Sequence, residues 1–330
     1  MNAVLSRRSL ALSVIACLCL LGQARAEDAP PEQVRIKFDW PAGLTAQVSG
    51  SKLKSRSKDG GEATRQEVRM RYLMQTARKG ENLLVSFSEP ELDPTLLRGL
   101  PEEQRRFLAV LTQAALPSYL VSGRGDFIGL ENFEGMVAAM KRLLNETFAD
   151  VTKRRRAQPM LDQILSAPVL TAFAKSEWDW MVGAWSGAEQ AFEMGAEYLF
   201  KGQVPVPLFG NALVDTETRF EFKRKLPCTR SGVTRECVEL HALNHPDADK
   251  LAALIEQYLA KLAPEAAAKS SIGSMESAIT LELVAETDTL LPHSFSLRKD
   301  ISVTGLGNGN QSTSRSTETT KLEFSYPAGK

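Results

Sequence analysis

Apolar and polar residues alternate with period two through both ends of the chain. Val34, Ile36, Phe38 and Trp40 take every second position up to the Pro41-Ala42-Gly43 break, the pattern of a half-buried strand. Residues 44–56 are polar but strand-like, and Lys58-Asp59-Gly60-Gly61 reads as a turn. In the next run Val68, Met70, Tyr72 and Met74 share one face, with Arg69, Arg71 and Leu73 on the other; Leu83, Val85 and Phe87 continue the pattern. The N-terminal part therefore predicts an antiparallel meander. The C-terminal part has the same character, in Phe220/Phe222, Val238/Leu240/Ala242, Ile279/Leu281/Leu283, Phe295/Leu297, Ile301/Val303 and Leu322/Phe324/Tyr326. Between the last two, residues 305–314 are rich in Gly, Asn, Ser and Thr and read as a long hairpin loop.

Between the two ends the period lengthens to 3.6. Pro101-Glu102-Glu103 opens a helix with Phe107, Leu108 and Leu111 on one side. Phe133, Met136, Val137, Met140, Leu143, Leu144 and Phe148 form a broad apolar stripe, and Met160, Leu161, Ile164 and Leu165 a third helix interrupted by Pro168. Trp178, Met181 and Trp185 share one face of a further segment. Pro246 opens the last helix, with Leu251, Leu254, Ile255, Tyr258, Leu259 and Leu262 as its apolar face. Strands, then helices, then strands predict an α+β fold: a curved, half-barrel-like antiparallel sheet with helices packed on one face. One domain is expected over 27–330, its helix-rich middle at about 101–190.

Upstream the pattern is different. Arg7 and Arg8 precede an apolar run over residues 10–21, and Ala24-Arg25-Ala26 is followed by the polar Glu27-Asp28. That order is the layout of a secretory signal peptide over residues 1–26, cleaved after Ala26, and it directs the body of the chain to the periplasm or outside the cell. The run is too short for a bilayer of roughly 30 Å. Two other readings stay open: Val14-Ile15-Ala16-Cys17 loosely fits a lipoprotein signal that would acylate Cys17, and Ser6-Arg7-Arg8-Ser9-Leu10 resembles a twin-arginine signal.

Composition narrows the classes. Lys+Arg and Asp+Glu each number 40, without the basic excess of a nucleic-acid-binding chain. No stretch after the leader approaches 18 consecutive apolar residues, so no transmembrane span is expected in the mature chain. Cys17 and Cys19 lie in the leader; Cys228 and Cys237 flank Thr229-Arg230-Ser231-Gly232 between strand-like runs and predict a disulfide across a hairpin in an oxidising compartment.

Candidate chemistry is sparse. His241 and His245, with Asp247 and Asp249, offer metal-ligand types. Yet alternation turns His241 outward beside Glu239, and Asn244, His245 and Asp247 stand where the next helix needs capping, so no metal is assigned. No G-x-S-x-G occurs, and the S-x-x-K matches at Ser51 and Ser55 lack partner motifs. Gly305-Leu-Gly307-Asn-Gly309 does not enter an apolar helix and is no dinucleotide fingerprint, so no cofactor is implied. Lys153-Arg154-Arg155-Arg156 reads as the solvated end of a helix. The large apolar side chains are more suggestive. Phe133, Met136, Met140, Trp178 and Trp185 are expected against the strand row Val68, Met70, Tyr72 and Met74, either as closed core or as the lining of an apolar cavity.

Taken together, the signal peptide, strands such as 34–40 and 68–74, the inserted helices and the ending from Leu290-Leu291-Pro292-His293-Ser294 to Tyr326 resemble the architecture of exported lipoprotein carriers of the LolA and LppX type. The resemblance covers most of residues 33–327, lies in pattern rather than in a diagnostic motif, and implies a cavity able to hold acyl chains. The first reading is thus an envelope binding protein for a lipid or other hydrophobic ligand. A structural or assembly partner with a closed core is the second, and an exported hydrolase with dispersed carboxylates or a metal the third.

Overall fold

Eleven antiparallel strands form one sheet in the computed structural model, which describes residues 31–147, 158, 161–186, 191–206, 209, 212–262, 270–307 and 310–327. The strands are β1 (Thr45–Lys58), β2 (Thr64–Lys79), β3 (Asn82–Leu92), β4 (Ser118–Val121), β5 (Phe127–Leu130), β6 (Glu197–Val206), β7 (Ala212–Arg230), β8 (Val233–Pro246), β9 (Ser270–Glu286), β10 (Pro292–Gly307) and β11 (Asn310–Ser325). Their spatial order is β5-β4-β3-β2-β1-β11-β10-β9-β8-β7-β6. Two meanders are therefore fused where the first long strand pairs with the last, Val48 opposite Phe324 and Gly50 opposite Leu322. Residues Val34–Lys330 make up one compact unit.

This order has a topological consequence. β5 and β6 are consecutive in sequence but lie at opposite edges, so the connection between them must run from one edge of the sheet to the other. That connection carries helix α2 (Phe133–Thr147), helix α3 (Ala167–Trp178) with its π-helical continuation Asp179–Gly183, and the turn Ala184–Ser186. Helix α1 (Glu102–Ala115) lies between β3 and β4 and packs on α2. Helix α4 (Ala248–Leu262) lies between β8 and β9 and packs on β9.

Alternation decides which face is covered. Ala46 and Val48 of β1, Met74 of β2, Leu83 and Val85 of β3, Val238, Leu240 and Ala242 of β8, Leu281 and Leu283 of β9, and Phe295 and Leu297 of β10 are buried in one cluster with Ala174, Trp178, Met181, Val182 and Trp185. The sheet is open and not strongly curled, which corrects the half-barrel expectation. The crossing connection fills the covered face between the two edges, and the edge strands do not meet. Antiparallel strand dominates the described residues, and the helical share is smaller than periodicity alone indicates.

Three local expectations also need correction. Residues 34–40 alternate in burial as expected, but the segment bonds to a turn, Lys37 N to Thr287 O (3.0 Å) and Asp39 N to Thr289 O (3.1 Å), and lies outside the large sheet. The described part of 305–314 belongs to paired strands up to Gly307 opposite Asn310; apart from the exposed Leu306 its residues are glycine or polar on both faces, so hydropathy carries no period there. Pro246 ends β8 and does not open α4, whose first turn is capped by Asp247 Oδ1 accepting from Lys250 N (3.0 Å). Pro168 takes the first turn of α3, where its missing N–H costs nothing.

Candidate functional site

A cavity of about 390 Å³ lies on the covered face, above the seam where the two meanders join. Its floor is Gly50 of β1, Val68, Met70 and Tyr72 of β2, Phe295 and Leu297 of β10, and Leu322 and Phe324 of β11. Phe87, Leu116, Pro117 and Tyr119 form a wall, Glu177 and Met181 also line it from the crossing helix, and Ser51, Lys52, Lys299, Glu318 and Thr320 complete the lining. Three larger depressions are more open, the smallest of them, about 410 Å³, edged by Ser57, Asp59 and Arg315. Another, of about 560 Å³, is edged by His245, Asp300 and Arg315; the third, of about 760 Å³, by Arg69, Arg71, Glu91 and Lys321.

Gly50 lets Leu322 close onto the strand, since a Cβ there would stand 3.2 Å from Leu322 Cδ2, and the space lies beyond that contact. On the helix, Glu177 and Met181 are four residues apart and share one side. Trp178 turns the other way, where its ring meets Trp40 and Phe38 edge-on and its Nε1 donates to Gly125 O at 2.7 Å. The helix widens into π geometry over Asp179–Gly183, a form often found beside functional sites.

The polar groups of the site interact. Lys52 Nζ is 2.9 Å from Glu318 Oε1, and Lys54 Nζ is 3.7 Å from Glu318 Oε2. Partial burial would raise the Glu318 carboxyl, but the hydrogen bond and charge of Lys52, helped by Lys299 and Lys54, outweigh it and hold that group below the ordinary carboxylate range. Glu177 behaves in the opposite way. Its side chain is exposed and lines the cavity, yet the protein packed around it raises its carboxyl against the pull of Lys299, Lys52 and a 3.4 Å hydrogen bond from Tyr119 OH. Desolvation, followed by the charge of Glu177, pushes the Tyr119 and Tyr72 hydroxyls up. The arrangement can hold an apolar group with a polar end; among the described lining residues there is no His or Cys to serve as base or nucleophile.

The five side chains expected to line a cavity lie elsewhere. Trp178 is fully buried in the aromatic core, and Trp185 packs edge-on against Phe220 with its Nε1 donating to Trp180 O at 3.1 Å. The only space beside Trp185 among the described cavities is a void of about 10 Å³, at the lower limit for a single water. Met136 is buried and Phe133 and Met140 half-buried on α2, the helix that packs on α1. From the matching strand row, Val68, Met70 and Tyr72 do line the cavity and Met74 lies in the core. Glu177, Leu322 and Phe324 carried no signal of a cavity in the sequence; an acid beside Trp178 and an inward-facing Gly50 were the available hints.

The remaining candidates are also placed. His241 Nε2 is 2.7 Å from Glu239 Oε1, and Glu239 in turn pairs with Arg224. His241 and His245 share a face of β8 but are about 13 Å apart at the strand rise, too far for one metal ion. Cys228 and Cys237 form a disulfide between β7 and β8, with Cα atoms 5.8 Å apart. His293 lies close to that pair, but bonded sulfurs offer no thiolate to a metal. The basic run 153–156 lies outside the described residues.

No family model matches the chain, and no curated protein does. Among solved structures, "Lipid-protein interactions in lipovitellin" aligns with 88% of this chain at 8% identity and a TM-score of 0.41. The aligned part is 26% of the lipovitellin chain, about a quarter of its length. "OmpT (in-vitro folded), an outer membrane protein Vibrio cholerae (trimer form)" aligns with 86% of this chain over its whole length, at 7% identity and a TM-score of 0.19. Both scores are too low to imply a shared fold. Among the described residues no helix is long and apolar enough to cross a membrane.

Proposed function

We propose that this protein binds a hydrophobic ligand, the chain of a lipid or similar molecule, in the cavity above the β1–β11 seam, and that it does so after export through the 1–26 leader. The apolar cavity itself carries the reading. A volume of about 390 Å³ falls within the roughly 300–1,000 Å³ typical of small-molecule sites, and its few polar groups gather at one part of an otherwise apolar lining. The disulfide supports the exported address, since such bonds persist in oxidising compartments. Titration of the purified protein with a fluorescent fatty-acyl probe tests the reading. Saturable uptake is expected, and Val68→Trp, which places a large ring in the cavity from a position 39% exposed, is expected to abolish it without unfolding the chain. A protein that takes up no probe overturns it.

A second reading, an assembly partner, is favoured by the edge strand β6, which leaves Leu199 and Phe200 exposed beside an unpaired edge. Retention of a β6-bound protein partner by material that takes up no acyl probe would place that reading first.

A further inference from the structure

We propose that the ligand is a single-chain amphiphile with an anionic head group, its chain in the cavity and its head against Lys52 and Lys299. This rests on the cavity reading above and specifies the chemistry of the occupant. The covered face of β1 reads Ala46, Val48, Gly50, Lys52, Lys54, Arg56, Lys58 at alternate positions, and no bulge interrupts either of its ladders. One strand thus passes from closed core, through the cavity floor at Gly50, to four consecutive cations.

The neighbouring strands do not neutralise this track. Opposite Arg56 and Lys58 on β11 stand Ser316 and Ser314, and opposite Lys54 and Arg56 on β2 stand Gln66 and Thr64. Glu318 is the one acid in the adjoining β11 row, and its carboxylate is already engaged by Lys52 and Lys54. Lys299 lies across from Glu318 in register, yet among the described residues its ammonium forms no ion pair within 4.0 Å. It is half-buried beside Leu297 in the cavity lining. An incoming anion would give this ammonium a close charge-assisted partner. Glu177 is the remaining acid in the lining, and its carboxylate oxygen already accepts from Tyr119 OH.

Volume sets the chain. A cavity of about 390 Å³ is of small-molecule size and suits a single alkyl chain, for which a dodecyl chain serves as probe. A carboxylate and a phosphate monoester present the same charged oxygens, and the experiment separates them.

The purified full-length protein is titrated calorimetrically with four probes sharing one chain: dodecanoate, dodecyl phosphate, dodecanol and dodecyltrimethylammonium. Both anions are expected to bind about tenfold or more tightly than dodecanol, the worth of one charge-assisted contact. The tighter of the two identifies the head. Lys299→Gln combined with Lys52→Gln is expected to reduce the anions to the affinity of dodecanol while leaving dodecanol binding unchanged, which also shows that the variant is folded. Dodecanol or the cation binding as tightly as the anions overturns this inference and leaves the cavity reading standing. Binding by none of the four overturns the cavity reading and this inference with it.

Discussion

Glu286 and Arg230 meet where the carboxylate has no exposed surface, Oε2 lying 3.1 Å from Nη1. Thr289 Oγ1 donates to the same oxygen at 2.7 Å, and His293 Nε2 lies 3.3 Å from Oε1. Glu286 also holds the turn that receives the 34–40 segment, its N–H reaching Leu291 O and its carbonyl accepting from Leu290 N. This pair therefore joins the end of β7 to the β9–β10 connection on which the N-terminal segment rests.

Glu286→Gln is expected to destabilise by about 3 kcal/mol, because it leaves Arg230 buried without its counter-charge. The effect depends on pH. Burial alone would raise the Glu286 carboxyl, but His293, Thr289 and Arg230 outweigh it and hold it below the reference value of 4.5. The contribution is thus present above that value and is lost as pH falls through the depressed folded one. Denaturant melts should show the gap between wild type and Glu286→Gln shrinking from about pH 6 towards pH 3.

The Cys228–Cys237 bridge joins two strands already paired along a long ladder, so the cost of removing it is chiefly the freedom returned to the unfolded chain. The sequence separation of 9 gives about 2.5 to 3 kcal/mol in the chain-entropy model. A Cys228→Ser, Cys237→Ser double variant should show that loss in its urea midpoint, and wild type measured with a dithiol reductant should match it.

Trp178→Ala is expected to cost about 3 to 5 kcal/mol, the range for large aromatic truncations in a core, with acyl-probe affinity reduced far less than by Val68→Trp. Gly125→Ala tests the same packing from the other side. Gly125 has φ +90°, and a Cβ there would lie 2.7 Å from Ser186 Cβ and 2.8 Å from Phe38 Cγ. Thermal melts should place Gly125→Ala well below wild type.

Much of this fold was legible because burial follows strict alternation wherever one face of a strand is apolar. The rows 68–74, 83–87, 238–242 and 295–297 could be read directly, and so could the Cys228–Cys237 bridge, because a short turn lay between two such rows. Strands of small polar residues, as in 310–317, escaped because neither face has a hydropathy contrast. The cavity was misplaced for a related reason. Size pointed to Trp178 and Trp185, but a core fills most readily around its largest rings, and the space lies instead where Tyr72, Phe295 and Leu322 meet the charged groups Lys52, Lys299 and Glu318. Glu177 and Lys299 are separated by 122 positions, and no local period connects them.

Glu177 supplies the last prediction, with a sign opposite to that of Glu286. The protein packed around its exposed side chain raises its carboxyl above the reference value of 4.5, with Lys299 and Lys52 only partly compensating and solvent screening keeping the effect small. A group whose folded value is raised loses stability as pH climbs, because the unfolded chain releases the proton first. Glu177→Gln, which keeps the shape and removes the charge, should therefore stabilise the protein at neutral pH. The gain should fade as pH falls below the reference value, where both states of the wild type carry the proton. Melting temperatures of the two proteins at about pH 7 and about pH 4 decide it. A variant equally or less stable than wild type at neutral pH would mean that water and the two lysines fully support the charge, and that the cavity is more polar than its lining suggests.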